Sequence, residues 1–372
     1  MIAERPPASG LLRAVARLVL HASRAVQMLG ALTPQDAHRE RTRLVGALSA
    51  GRPAVPRWTY APWDGDDVRR ALDAAERAIA REAAPGLEAL MLERVRELSL
   101  EASLCAAAGT TMIGRLARER FAPPRAHEAT EASALCARWL AEPACIAPAE
   151  TVASDGDDPA SLLSLMRAAV GRLRLPFSVI AQPTLASLAA TGDGVIFVAV
   201  GRAVGREDAA RTVLHEIEGH AVPRSRAMGA RLTIVRAGTA RGVDDQEGLA
   251  LLLEERAGWL GARRRRQLAA RHRAFEAMGA GGSFSDVAET LVRDHGLDAP
   301  HAVAVAERVF RGSDGKRPGL GRERVYLEAY VRVGAHLAKH PTDEEVMAAG
   351  QIAVHAAPVL RPFTEGSTRT GT

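Results

Sequence analysis

Apolar positions recur at three- and four-residue spacing through most of the chain, the pattern of helices with one buried face. Leu11 to Leu29 repeats in this way and predicts a first helix, with Arg13, Arg17, His21 and Arg24 interrupting the apolar positions. Gly51 to Asp67 breaks the period with Pro53, Pro56, Trp58, Pro62 and Trp63, which reads as an ordered loop packed on the body. Residues 67 to 118 predict two or three helices, with Pro85 and Gly86 between candidates, and residues 126 to 142 predict another. Pro143 to Pro159 has low hydrophobicity and no period, so a boundary is placed there between a mostly helical region, 1–150, and a second region, 151–372.

After Ser161 the texture changes. Leu162 to Leu173 predicts a helix, and Phe177 to Ala181 and Val195 to Val200 are short apolar runs that predict strands on either side of Gly192-Asp193-Gly194. Glu207 to Val222 returns to helical spacing, so the order is strand, short loop, helix. The expected class is α+β, predominantly α-helical, with a small sheet beside this helix.

Composition agrees. The 372 residues are 47% hydrophobic, enough for a sizeable core, and only 4% aromatic, with the alanine and leucine content that favours helix. A net charge of +5 and a pI near 9.6 come largely from arginine, densest at Arg263 to Arg266. Charges of both signs are interspersed, which predicts a solvated surface rather than a nucleic-acid face. Cys105, Cys136 and Cys145 form no CxxC pair and read as buried thiols, so a reducing, cytoplasmic address is expected. The N-terminal amphipathic pattern lacks a signal-peptide core and no run approaches a membrane span, so no membrane partner is expected.

The candidate chemistry lies on the 207–222 helix. His215-Glu216-Ile217-Glu218-Gly219-His220 is HExxxH, one residue longer than the HExxH helix of zinc proteases. At 3.6 residues per turn a five-residue spacing parts two side chains by about 140°, against about 40° for four residues, so a regular helix does not converge the histidines. A one-residue π-bulge does, and Gly219 lies in the stretch that must distort. Farther on, Asp244-Asp245-Gln246-Glu247-Gly248-Leu249-Ala250 reads as a second helix start with Glu247 in its first turn, running to a solvated Glu254-Glu255-Arg256. His215, His220 and Glu247 would give the His2Glu set of a catalytic Zn2+ site. Glu216 then serves as the base that takes a proton from water activated at the metal and passes it to the leaving amine.

The literal Gln246-Glu247-Gly248-Leu249-Ala250, following an HEI-type HExxxH, resembles the tyrosine-carboxypeptidase-like metallopeptidases, also described as QEGLA-motif proteins. Arg308 to Gly312 and Arg324 to Glu328 are similar to that family's fRG and vYLxG segments, and Leu32 to Pro34 and Pro56 to Tyr60 to its N-terminal region. The resemblance covers most of residues 15 to 340. It implies a zincin-like metallopeptidase region over 151–372, Zn2+ on His215, His220 and Glu247, Glu216 as base, and removal of a residue from the C-terminus of a protein or peptide. Animal relatives detyrosinate α-tubulin. Arg311 then pairs with a terminal carboxylate and Tyr326 donates to the oxyanion, although a surface charge and a core tyrosine explain the same two residues. The chain departs from the family at Arg224 to Arg236, where an asparagine-glycine stretch is expected, and at Ala329, where YLxG has glycine. Those changes leave the metal set intact and bear on specificity.

Two alternatives stand beside this reading. An N-terminal exopeptidase is one, since dipeptidyl peptidases of another family carry a similar HExxGH. A non-catalytic, zinc-stabilised binding protein is the other, and Glu216 argues against it because a structural site has no need of a base between its ligands. A nucleic-acid-binding regulator rests only on pI and the arginine run.

Overall fold

The computed structural model describes residues 10–80, 86–143 and 150–364, and helices dominate it. Asp66–Ala80, Leu87–Ala106, Ile113–Phe121 and Ala126–Ala141 fall where helical spacing puts them. Pro85 and Cys145 lie outside the described residues. The first helix is shorter than its apolar pattern: it runs Gly10–Ala25 and a separate turn follows at Met28–Ala31. Gln27 causes the break, leaving helical geometry (φ −93, ψ 67) while its side-chain amide donates to the Arg24 carbonyl at 2.9 Å. The 51–67 loop is ordered as expected, with Trp58 edge-on to Phe284 at 5.4 Å.

Buried faces from both ends of the chain meet in shared cores. Val15, Val19, Leu72, Val95 and Leu98 pack with Ile234, Val235 and Leu360. On Ala126–Ala141, the stripe Ala132, Leu135, Cys136 and Trp139 recurs at three- and four-residue spacing and buries against Leu251, Leu268 and Leu327. Cys105 and Cys136 are free and buried, and burial pushes their thiols up to about 12 and about 11.

Five short strands are present among the described residues: β1 Thr151–Ala153, β2 Ser178–Gln182, β3 Ala189–Thr191, β4 Val195–Ala199 and β5 Ala203–Gly205. The apolar runs predict only β2 and β4, because the three-residue β1, β3 and β5 are too short to show alternation. β4 lies centrally, parallel to β2 and antiparallel to β3, while β1 pairs antiparallel with β5. Gly192 to Gly194 makes the β3–β4 turn, with Gly194 at φ +71 and the Gly192 N–H donating to the Val195 carbonyl at 2.8 Å. Ile196 and Val198 of β4 share a core with Ile217 and Ala221, so the sheet rests directly on the histidine-bearing helix.

The arginine run is not a solvated surface. On the helix Ala262–Gly279, successive residues sweep about 100° each, and the arginines reach several neighbouring segments. Arg263 pairs with Asp208, Arg264 with Glu254, and Arg265 with Glu142, while Arg266 donates to the Leu140 and Glu142 carbonyls. Arg264 is buried. Among the described residues no helix is long and apolar enough to cross a membrane.

Candidate metal centre

β5 runs straight into one continuous helical rod: α-helix at Arg206–Leu214, π-helix at His215–Ala221, α-helix again at Val222–Met228. The distortion required by the five-residue histidine spacing is present, with the Val222 N–H reaching back to the Ile217 carbonyl. Gly219 has a steric reason as well, since a Cβ there would lie 2.6 Å from Ala250 Cβ on the facing helix.

That facing helix is Gly242–Arg256, and Glu247 sits in its second turn rather than its first. It starts early because Arg241 adopts a left-handed conformation (φ 61) and Gly242 passes Gln351 so closely that a Cβ would fall 1.9 Å from the Gln351 carbonyl oxygen. At Gly248 a Cβ would stand 2.4 Å from the Ala329 carbonyl oxygen on the helix Val325–Leu337. Gly248 and Ala250 thus let two neighbouring backbones approach on either side of Glu247.

The three predicted ligands converge. His215 Nε2 and His220 Nε2 are 3.3 Å apart, and Glu247 Oε2 lies 3.4 Å from the first and 3.7 Å from the second. Tetrahedral ligand atoms are separated by about 1.63 bond lengths, which for zinc bonds of about 2.0–2.2 Å gives about 3.3–3.6 Å. The observed triangle therefore fits a small tetrahedral cation. Glu247 Oε2 is buried without a hydrogen-bond partner, an orphaned acceptor at the centre of the cluster. The residues can hold a metal ion.

Surrounding contacts fix which ring nitrogens face the centre. His215 Nδ1 lies 2.8 Å from Glu254 Oε1 and so carries the proton, leaving Nε2 as the lone pair. His220 Nδ1 faces Gln246 Oε1 at 3.3 Å, and that amide is oriented by its own Nε2 donating to the Gly350 carbonyl. Arg322 Nη2 donates to Glu247 Oε1 at 3.0 Å, leaving Oε2 to the cluster. Burial opposes charge on His215, Glu247, Glu254 and Arg322. Even so, the neighbouring Glu247 and Glu254 carboxylates lift His215 to about 9, and the two histidines with the Arg322 charge hold Glu247 well below the usual carboxylate range. A proton therefore competes with a cation for the same lone pair.

Glu254, expected in solvent, is fully buried. Besides His215 it accepts two hydrogen bonds from Arg264 at 2.9 Å each, with Arg211 at 3.5 Å. It lies seven residues, two turns, beyond Glu247 and so on the same helix face. That spacing was a usable signal, and the charged Glu255 and Arg256 beside it obscured it.

Glu216 is buried on the π-helix beside His215, and Thr191 Oγ1 on β3 donates to its Oε2 at 2.7 Å. Tyr326 is buried on Val325–Leu337, its hydroxyl oxygen accepting from Arg308 Nη2 at 3.0 Å. Burial and then Glu247 raise the Tyr326 pKa. Arg311 is half-buried just past the helix Ala299–Val309, and no carboxylate among the described residues pairs with it. Burial and the neighbouring Arg308 lower its pKa. Thr191, Gln246, Glu254 and Arg322 are the site residues that spacing did not supply.

No curated protein matches the chain. A family model does, that of microtubule-associated tyrosine carboxypeptidase, over residues 48–368. With nearly the whole length matched, the chain belongs to the microtubule-associated tyrosine carboxypeptidase family.

Proposed function

We propose that the protein is a zinc-dependent metallocarboxypeptidase with a zincin-like catalytic region over 151–372, acting on the C-terminus of a protein or peptide. The observation that carries this reading is the tetrahedral spacing of His215, His220 and Glu247 with Glu216 on the same π-turn. Zinc, when bound, supplies a Lewis acid and makes water a stronger acid. Glu216 takes the proton from the attacking water and returns it to the leaving amine. Thr191 restrains one oxygen of that carboxylate, and no hydrogen bond among the described residues engages the other.

Arg311 receives the terminal carboxylate. Its support is a half-buried guanidinium without a carboxylate partner among the described residues, an arrangement that costs free energy until an anion arrives. Tyr326 donates to the oxyanion, since its oxygen already accepts from Arg308 and its proton is uncommitted. The reading includes a cytoplasmic address, in keeping with two free buried thiols.

Metal analysis and peptide trimming test it together. One zinc per chain is expected in the wild type, lost in His215→Ala and Glu247→Ala and kept in Glu216→Gln. C-terminal trimming of a peptide library is expected from the wild type and not from Glu216→Gln. Absence of stoichiometric metal sinks the ligand set, and metal without trimming sinks the peptidase.

A further inference from the structure

Arg224 stands four residues beyond His220, about one helical turn along the Val222–Met228 segment. Its side chain is only 18% exposed, and its Nε is buried without a hydrogen-bond partner. Asp193 is its carboxylate partner, with Arg224 Nη1 donating to Oδ1 at 2.8 Å. Asp193 itself is 60% exposed at the tip of the β3–β4 turn, between Gly192 and Gly194.

These contacts close a ring around the candidate centre. Glu216 is bonded to Thr191, the chain runs two residues to Asp193, Asp193 crosses to Arg224, and the helix leads back to His220. Arg224 is therefore tied through Asp193 and Thr191 to the proposed base. Burial lowers its pKa, opposed by Asp193 and then by Glu216 and Glu247, so the guanidinium lies within electrostatic reach of both site carboxylates. A mostly exposed carboxylate on a two-glycine turn makes a weak partner for such a cation. A carboxylate arriving with a peptide that excludes water makes a stronger one.

We infer that Asp193 is a stand-in, its carboxylate filling an anion subsite on Arg224 that a carboxylate of the peptide substrate takes over. This rests on the peptidase reading. The exchange leaves Arg224 paired throughout and turns Asp193 out into water, where most of its side chain already is. The ligand chemistry is a peptide carboxylate: that of an acidic side chain near the terminus while Arg311 holds the terminal one, or the terminal one itself in place of Arg311.

The experiment uses zinc-loaded Glu216→Gln protein and fluorescent peptides of four kinds, ending in a free acid or an amide and carrying Glu or Gln in the last two positions. Binding is measured alone and with Asp193→Asn, Arg224→Gln or both added. Asp193→Asn is expected to tighten the responsive peptides about fivefold, since an exposed competing pair is removed. Arg224→Gln is expected to weaken the same peptides about tenfold, Arg224→Lys to restore part of this, and Asp193→Asn to add nothing on top of Arg224→Gln. A response confined to Glu against Gln assigns a side-chain carboxylate, and one confined to acid against amide gives Arg224 the terminal carboxylate and takes it from Arg311. Peptides that bind with every affinity unchanged by either substitution overturn the inference and leave the peptidase reading standing. Equal weakening of all four peptides by Arg224→Gln marks a structural role and overturns it too. If no peptide binds and the wild type cleaves none, the peptidase reading fails and takes the inference with it.

Discussion

Glu254→Gln separates two roles of one buried carboxylate. Glu254 is 0% exposed and orients His215 at 2.8 Å while neutralising Arg264, which is 7% exposed and bonded to both of its oxygens at 2.9 Å. Removing the charge leaves Arg264 buried with no other carboxylate partner among the described residues, and breaking a buried pair from one side costs about 3–5 kcal/mol. Loosening the His215 ring should separately weaken metal binding about 10–100-fold, the usual effect of losing a ligand's outer hydrogen bond. Thermal melting in chelator reads the first effect, and competition with a chromophoric chelator reads the second. Adding Arg264→Met removes the stranded cation, so Glu254→Gln/Arg264→Met should recover most of the stability and none of the metal affinity. Glu254→Gln with wild-type affinity, or a double variant that regains affinity along with stability, would refute the reasoning.

Thr191→Val, which removes the hydrogen bond to Glu216 and little volume, should lower kcat about tenfold with zinc content unchanged; parallel kinetics and metal analysis check it. Gly248→Ala forces a methyl against the Ala329 carbonyl and should destabilise by about 1–3 kcal/mol, whereas Gly46→Ala, with open space around an exposed site on Ala37–Ser49, should stabilise by about 0.5–1 kcal/mol, both read by urea unfolding. Glu276 is held at about 2, chiefly by the hydrogen bond from His272 and also by Ser133. A depressed carboxyl contributes stability that is complete above the ordinary value of 4.5 and lost as pH falls through about 2, so Glu276→Gln should flatten this part of the acid limb in urea midpoints measured from pH 6 to 2.

The convergence of His215 and His220 was the most legible part of the chain because helical geometry left few choices. Histidines five apart converge only if the helix is distorted, and the π-turn at His215–Ala221 follows from that single fact. Glu247 was readable from motif order, but the reasons for Gly248 and Ala250 are tertiary and appear only when the Val325–Leu337 backbone and Gly219 stand against them. Arg322 reaches Glu247 from 75 residues away, and no local period encodes that meeting. Thr191 lies on a strand too short to signal itself. Arg263 to Arg266 misled because a run of like charges says nothing about carboxylates supplied by three other segments.

The close packing of Gly219 on Ala250 and of Gly248 on Ala329 fastens three backbones together around the cluster. His215, His220 and Glu247 therefore ride on one stiff frame that apolar burial holds in shape. Zinc fingers behave differently, because their chains need the ion in order to fold. Here loading becomes a docking event: stripping the ion should lower the melting temperature through mass action alone and leave the circular dichroism of the chain unchanged. On the zinc-peptidase reading proposed above, a cell would keep a standing stock of finished but silent molecules, with activity following the supply of zinc faster than synthesis could answer it.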